Sequence, residues 1–77
     1  MNVLQKYLDQ NKITRYQVAK KTGIANTTLA NAVKDTKPLS GQTVKVISAV
    51  AQALDKTPGK VLDDLIALDK KGVHPLN

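Results

Sequence analysis

The chain has no cysteine, no tryptophan and no phenylalanine, and its only aromatic residues are Tyr7 and Tyr16. Without cysteine, neither a disulfide nor a thiolate metal site can support the fold, which fits a reducing cytoplasm. With so few aromatics the core has to be aliphatic. No apolar run approaches the length of a membrane span, and the N-terminus lacks the layout of a signal peptide, so a cytoplasmic location is expected. There is one histidine, His74, and neither a glycine-rich phosphate loop nor a paired histidine and carboxylate spacing. An enzyme is therefore the weakest functional class, and neither a cofactor nor a metal is expected. His74, near the C-terminus, reads as a solvated residue rather than a ligand or switch.

What is present is enough for one small domain. The 77 residues, 42% of them apolar, allow a single helical core but no second module. The net charge of +6 is concentrated. Lys12, Arg15, Lys20, Lys21, Lys34, Lys37 and Lys45 face only Asp35 between positions 12 and 45, whereas basic and acidic residues balance elsewhere. A surface that meets a polyanion would look like this, and so would a solvated lysine-rich face. A membrane surface fits less well, because no helix combines a basic face with large aromatics.

The segment from Arg15 to Lys34 reads as two short helices joined at Gly23. Thr14 with Gln17 three residues on has the form of a capping box, so a helix is predicted to start near Arg15. Val18 and Ala19 give it an inward face, and Gly23 can take the left-handed conformation that ends it. Ile24 returns the chain to the core. In the second helix Leu29, Ala32 and Val33 share one side, leaving Asn26, Thr27, Ala30, Asn31 and Lys34 outside.

Counted from Arg15, an alanine falls fifth, a glycine ninth and an aliphatic residue fifteenth, with apolar residues fourth, tenth and eighteenth. Through Val18, Ala19, Gly23, Ile24, Leu29 and Ala32 the segment resembles the helix-turn-helix of the phage-repressor and Cro family. Two positions depart from the family pattern. Thr22 stands where an aliphatic residue is usual, and Ala25 where a serine or threonine usually caps the second helix, so either Asn26 caps one residue later or the helix start frays.

Around this pair, Val3, Leu4, Tyr7 and Leu8 predict a first helix of about two turns, capped by Asn2 with Gln5, with Tyr7 in the core. Ile13 is expected to staple the next helix. Pro38 ends the polar loop after Lys34. Ser40 is then predicted to cap a long helix through Leu54, with Val44, Ile47, Val50, Ala51 and Leu54 inward; a proline and serine before such a helix extends the resemblance. The backbone amides of Gly41, Gln42 and Thr43 would form its N-terminus, suited to a phosphate. Thr57 and Pro58 start a fifth helix, Gly59 to about Leu68, with Val61, Leu62, Leu65 and Ile66 turned inward or toward a partner. The resulting division is a domain over 1–68 and a tail over 69–77, which could be disordered or in which Val73 and Leu76 could cover part of a dimer seam.

The resemblance, spanning about residues 2–66, implies an all-α, five-helix, lambda-repressor-like domain. It implies a sequence-specific double-stranded DNA-binding regulator, most often a repressor, acting as a homodimer on an inverted repeat. By position in the motif, Asn26, Thr27 and Asn31 would contact bases. Arg15, Thr28, Lys34, Lys37, Gln42, Thr43 and Lys45 would contact phosphates. The alternative is an antitoxin-like or other protein-interaction module of the same fold, which would require neither the amide-rich face nor the focused charge.

Overall fold

The computed structural model describes residues 2–72 and is helical throughout, with no strand among the described residues. Helix α1 spans Val3–Gln10, and its cap is Asn2, whose Oδ1 accepts from the Gln5 amide. Val3, Leu4, Tyr7 and Leu8 are buried, so the period read from the sequence is the packing face. The helix closes with a reciprocal pair of backbone bonds, Lys12 N–H to Asp9 C=O and Ile13 N–H to Leu8 C=O, both at 3.1 Å. Lys12 occupies the left-handed position of this Schellman closure, at φ 55°. Buried Ile13 then precedes the Thr14 cap.

Helix α2 spans Arg15–Thr22 and has the full capping box: the Thr14 side chain accepts from Gln17 N, and Gln17 Oε1 accepts from Thr14 N at 2.8 Å. Gly23, at φ 79°, ends it, and helix α3 follows over Asn26–Ala32. Thr22 earns its unusual place by hydrogen bonding: its hydroxyl donates to Val18 C=O at 2.8 Å and accepts from Ile24 N at 3.3 Å. A polar side chain thereby seals the turn that an aliphatic would fill.

The approach to the fourth helix differs from the sequence expectation. Leu39–Gly41 forms a 3₁₀ turn, and helix α4 begins only at Val44, running to Ala53. Its cap is Thr43, not Ser40: the Thr43 hydroxyl accepts from Val46 N at 3.2 Å. The amides of Gly41 and Gln42 are spent inside the 3₁₀ turn, on Pro38 and Leu39 carbonyls at 3.0 Å each. The cause is Gln42, held in extended conformation (ψ 142°) while its side chain reaches back to α3. Ile47, Val50 and Ala51 are buried as expected, and the two ends of the expected face are not. Val46, Ala49, Val50 and Ala53 line the core with Ile47 and Ala51, whereas Val44, expected inside, is 77% exposed at the first helical position, and Leu54 is a half-buried cap.

Helix α5 spans Pro58–Gly72, with Thr57 Oγ1 accepting from Lys60 N. It continues past Leu68, where the sequence suggested an end, so Asp69 and Lys70 are helical. Val61 and Leu65 are fully buried, while Leu62 and Ile66 stay 39% exposed. Val73, His74 and Leu76 lie outside the described residues. The long helix is fastened to α1 by a polar cluster. The Tyr7 hydroxyl donates to Asp64 Oδ2 at 2.7 Å, and Lys56 and Lys60 reach the same carboxylate at 3.4 and 3.1 Å. The hydrogen bond from Tyr7, then that from Lys60, holds the Asp64 carboxyl below its ordinary range. Burial, then the bond to Asp64, pushes the Tyr7 phenol up, and bonding to Tyr7 raises Lys56. The aliphatic core itself draws on all five helices, from Leu4 and Leu8 through Val18, Leu29 and Val50 to Leu65.

Candidate nucleic-acid interface

Helix α3 stands on the core through Leu29 and Ala32, both buried, with α2 and α4 behind it. Helical geometry then fixes what it shows outward. Thr27 and Asn31, one turn apart, are exposed, and Ala30 between them is partly exposed. Ala25 is the cap residue and makes no side-chain bond to the helix, and Asn26 does not take over that role. The Asn26 side chain is half-buried, and its Oδ1 is enclosed without a hydrogen-bond partner. Of the three residues expected to reach bases, two project freely and one is partly turned into the protein.

Several of the residues expected at phosphates converge on the far side of α3. Thr28, Asn31, Lys37, Gln42 and Thr43 line one small cavity of about 150 Å³ between α3, the 3₁₀ turn and the start of α4. Lys45 belongs to another depression, about 480 Å³, which runs from the Thr22–Ala25 turn along α4 to Gln52. Arg15 is half-exposed at the first position of α2, and Lys34 is exposed just beyond α3. Lys37 and Lys45 thus lie on either side of α3, in the cavity at its far side and the depression at its leading turn.

The Gln42 amide is partly committed within the protein. Its Nε2 donates to the Ala32 carbonyl at 2.8 Å, and its Oε1 is enclosed without a partner. The amides of Gly41 and Gln42 are likewise occupied, so the open donors of the α4 N-terminus shift downstream to Val44 and Lys45.

The same Ala32 carbonyl accepts from Asn2 Nδ2 at 3.1 Å, and this nitrogen also lies 3.0 Å from Lys34 C=O and 2.8 Å from Lys37 C=O. Two side-chain amides therefore hold the C-terminal end of α3 and the loop after it. Sequence reasoning saw Asn2 only as a cap. Nothing in the local pattern connects it with a carbonyl 30 residues away. A second residue not singled out is Tyr16, 69% exposed on the first turn of α2 beside Arg15. Its exposure in a chain with two aromatics was the available signal.

Among the described residues, no group of three or more histidine, cysteine or acidic side chains could hold a metal ion, and no helix is long and apolar enough to cross a membrane. No curated protein and no solved structure matches the chain. The family model of the Cro/C1-type HTH DNA-binding domain matches residues 3–67, which take in the helix pair α2–α3 that exposes Thr27 and Asn31, and the chain belongs to that family.

Proposed function

We propose that this protein is a sequence-specific, double-stranded DNA-binding transcriptional regulator that acts as a repressor, with α3 in the major groove. The observation that carries this reading is the exposed, amide- and hydroxyl-bearing face of α3 at Thr27 and Asn31, with Lys37 and Lys45 in the depressions on either side of the helix and Lys34 exposed just beyond it. Amide and methyl groups read base edges, whereas the surrounding cations neutralise phosphates without regard to sequence. Thr28 and Thr43 add hydroxyl donors at the rim, and the Val44 and Lys45 amides offer a phosphate the positive end of α4. Gln42 acts indirectly, by holding Ala32.

One such helix reads only a few base pairs, so the protein works as a homodimer on an inverted repeat, its recognition helices about 34 Å apart. What supports pairing is a groove of about 570 Å³ between the 3₁₀ turn, the start of α4 and α5. Leu39, Val44, Ile47, Leu62 and Ile66 line it, and no lysine or arginine does. Placed on a promoter, the dimer represses by occupying it.

The test is selection of bound duplexes from a random pool at moderate salt, beside the Asn31→Ala variant, with sedimentation of Ile66→Lys run in parallel. An inverted repeat enriched by the native chain and lost with Asn31→Ala is the expected result. Enrichment of nothing would leave charge-driven binding alone. Native protein that sediments as a monomer both free at tens of micromolar and on DNA would defeat the homodimer.

A further inference from the structure

Helix α3 reads Asn26-Thr27-Thr28-Leu29-Ala30-Asn31-Ala32 and carries no charged side chain. That composition limits what it can read. Guanine is most often specified by a bidentate arginine or lysine on O6 and N7, and the cytosine amino group by an aspartate or glutamate. None of these side chains is on the helix. Of the lysines closing α2, Lys21 is turned away, its Nζ donating to the Ala53 carbonyl at 3.3 Å on the far end of α4.

The amides sort as clearly once their partners are known. Reading adenine takes a donor and an acceptor side by side, against N7 and the N6 amino group. Gln42 has given one of its two N–H donors to Ala32, and its acceptor is enclosed, so it cannot offer the pair. Asn26 has one end of its amide enclosed, so it cannot present both. Asn31 is exposed, and its side chain makes no hydrogen bond among the described residues. Thr27 lies one turn before Asn31 on the same face, and Ala30, three residues after Thr27, flanks that face, bringing two methyl groups near this amide.

Resting on the DNA-reading function above, we propose that α3 specifies A·T pairs only: Asn31 pairs bidentately with one adenine, and Thr27 and Ala30 contact the C5-methyl group of a thymine. The rise from Thr27 to Asn31 is about 6 Å at 1.5 Å per residue. At 3.4 Å per base-pair step, that places the thymine within about two steps of the adenine. Asn31 is the specificity-determining residue of the half-site, and Asn26 is a minor contributor.

The experiment uses the full chain and the site recovered by selection, with single-atom changes in the DNA. Replacing the candidate adenine by 7-deazaadenine removes N7 alone, and replacing the thymine by deoxyuridine removes the methyl alone. For the native protein, 7-deazaadenine is expected to raise Kd roughly tenfold. Deoxyuridine should raise it about fourfold, the worth of one buried methyl group. Asn31→Ala should be insensitive to 7-deazaadenine, and Thr27→Ser, which keeps the hydroxyl but loses the methyl, should respond less to deoxyuridine. A selected half-site whose G·C pairs couple to Asn31 would overturn the A·T assignment and leave the DNA-reading function standing, as would equal 7-deazaadenine penalties for the native chain and Asn31→Ala. Selection that enriches no sequence would overturn both.

Discussion

The side-chain nitrogen of Asn2 lies 3.1 Å from the carbonyl oxygen of Ala32, so the residue that starts the first helix also closes the last turn of the helix offered to DNA. Two functions meet in one buried side chain, and variants can separate them. Asn2→Ala removes the α1 cap and the donor to three carbonyls, and should cost about 2–3 kcal/mol in urea denaturation. Asn2→Asp keeps an equally good cap but turns a carboxylate toward those carbonyls. It should be at least as destabilised as the alanine variant; native stability in Asn2→Asp would show that the grip on α3 contributes nothing.

The start of α4 is tested by two alanine substitutions at the two candidate caps, Thr43 and Ser40. Thr43→Ala should lose about 1 kcal/mol, because the Val46 amide loses its acceptor. Ser40→Ala, in the 3₁₀ turn, should stay within about 0.5 kcal/mol of the native protein. The reverse order would restore the earlier helix start.

Lys12 and Asp55 both sit in the left-handed region, at φ 55° and 61°. Each closes a Schellman motif; for Asp55 the bonds are its own N–H to Gln52 C=O and Lys56 N–H to Ala51 C=O. Glycine would relieve the Cβ strain at either site. Lys12→Gly and Asp55→Gly should each stabilise the fold by about 0.5–1 kcal/mol, net of the extra freedom glycine gives the unfolded chain. A thermal or urea midpoint below the native value would refute this.

The tie between α1 and α5 should weaken in acid. The folded pKa of Asp64 is depressed below its unfolded value, so the unfolded chain takes up this proton first as pH falls. Its contribution is complete above about pH 4, the ordinary aspartate range, and is lost as pH drops through the lowered folded value. Native protein and Asp64→Asn should therefore differ in stability near neutrality and converge toward about pH 2. A gap that stays constant from neutral to acid would mean that the carboxylate charge is not what holds Tyr7.

Binding to DNA should depend steeply on salt. With about five phosphates neutralised per subunit, log affinity should fall against log salt with a slope of about −4.5 for each subunit, about −9 for the dimer. Lys37→Ala should reduce that slope by about 1 per subunit and weaken specific and random duplexes alike, whereas Asn31→Ala should affect the specific duplex alone. Equal losses on both duplexes from Asn31→Ala would remove it from the base-reading face.

The order of the helices, their caps at Asn2, Thr14 and Thr57, the turn at Gly23 and the family were all legible in the residues, because each depends on groups within a few positions of one another. Local hydrogen bonds and a 3.6-residue period are written in sequence order. The start of α4 was not legible, since Ser40 and Thr43 are both acceptable caps and the choice between them falls with Gln42, whose side chain bonds to a carbonyl ten residues back. The same long-range contact engages one amide hydrogen of Gln42 within the protein, and packing encloses Asn26 Oδ1. Sequence alone determined that a polar, uncharged helix would stand among lysines. Tertiary structure decided which of its amides remain free, because a side-chain amide has few bonds to give and only packing determines whether protein or solvent receives them.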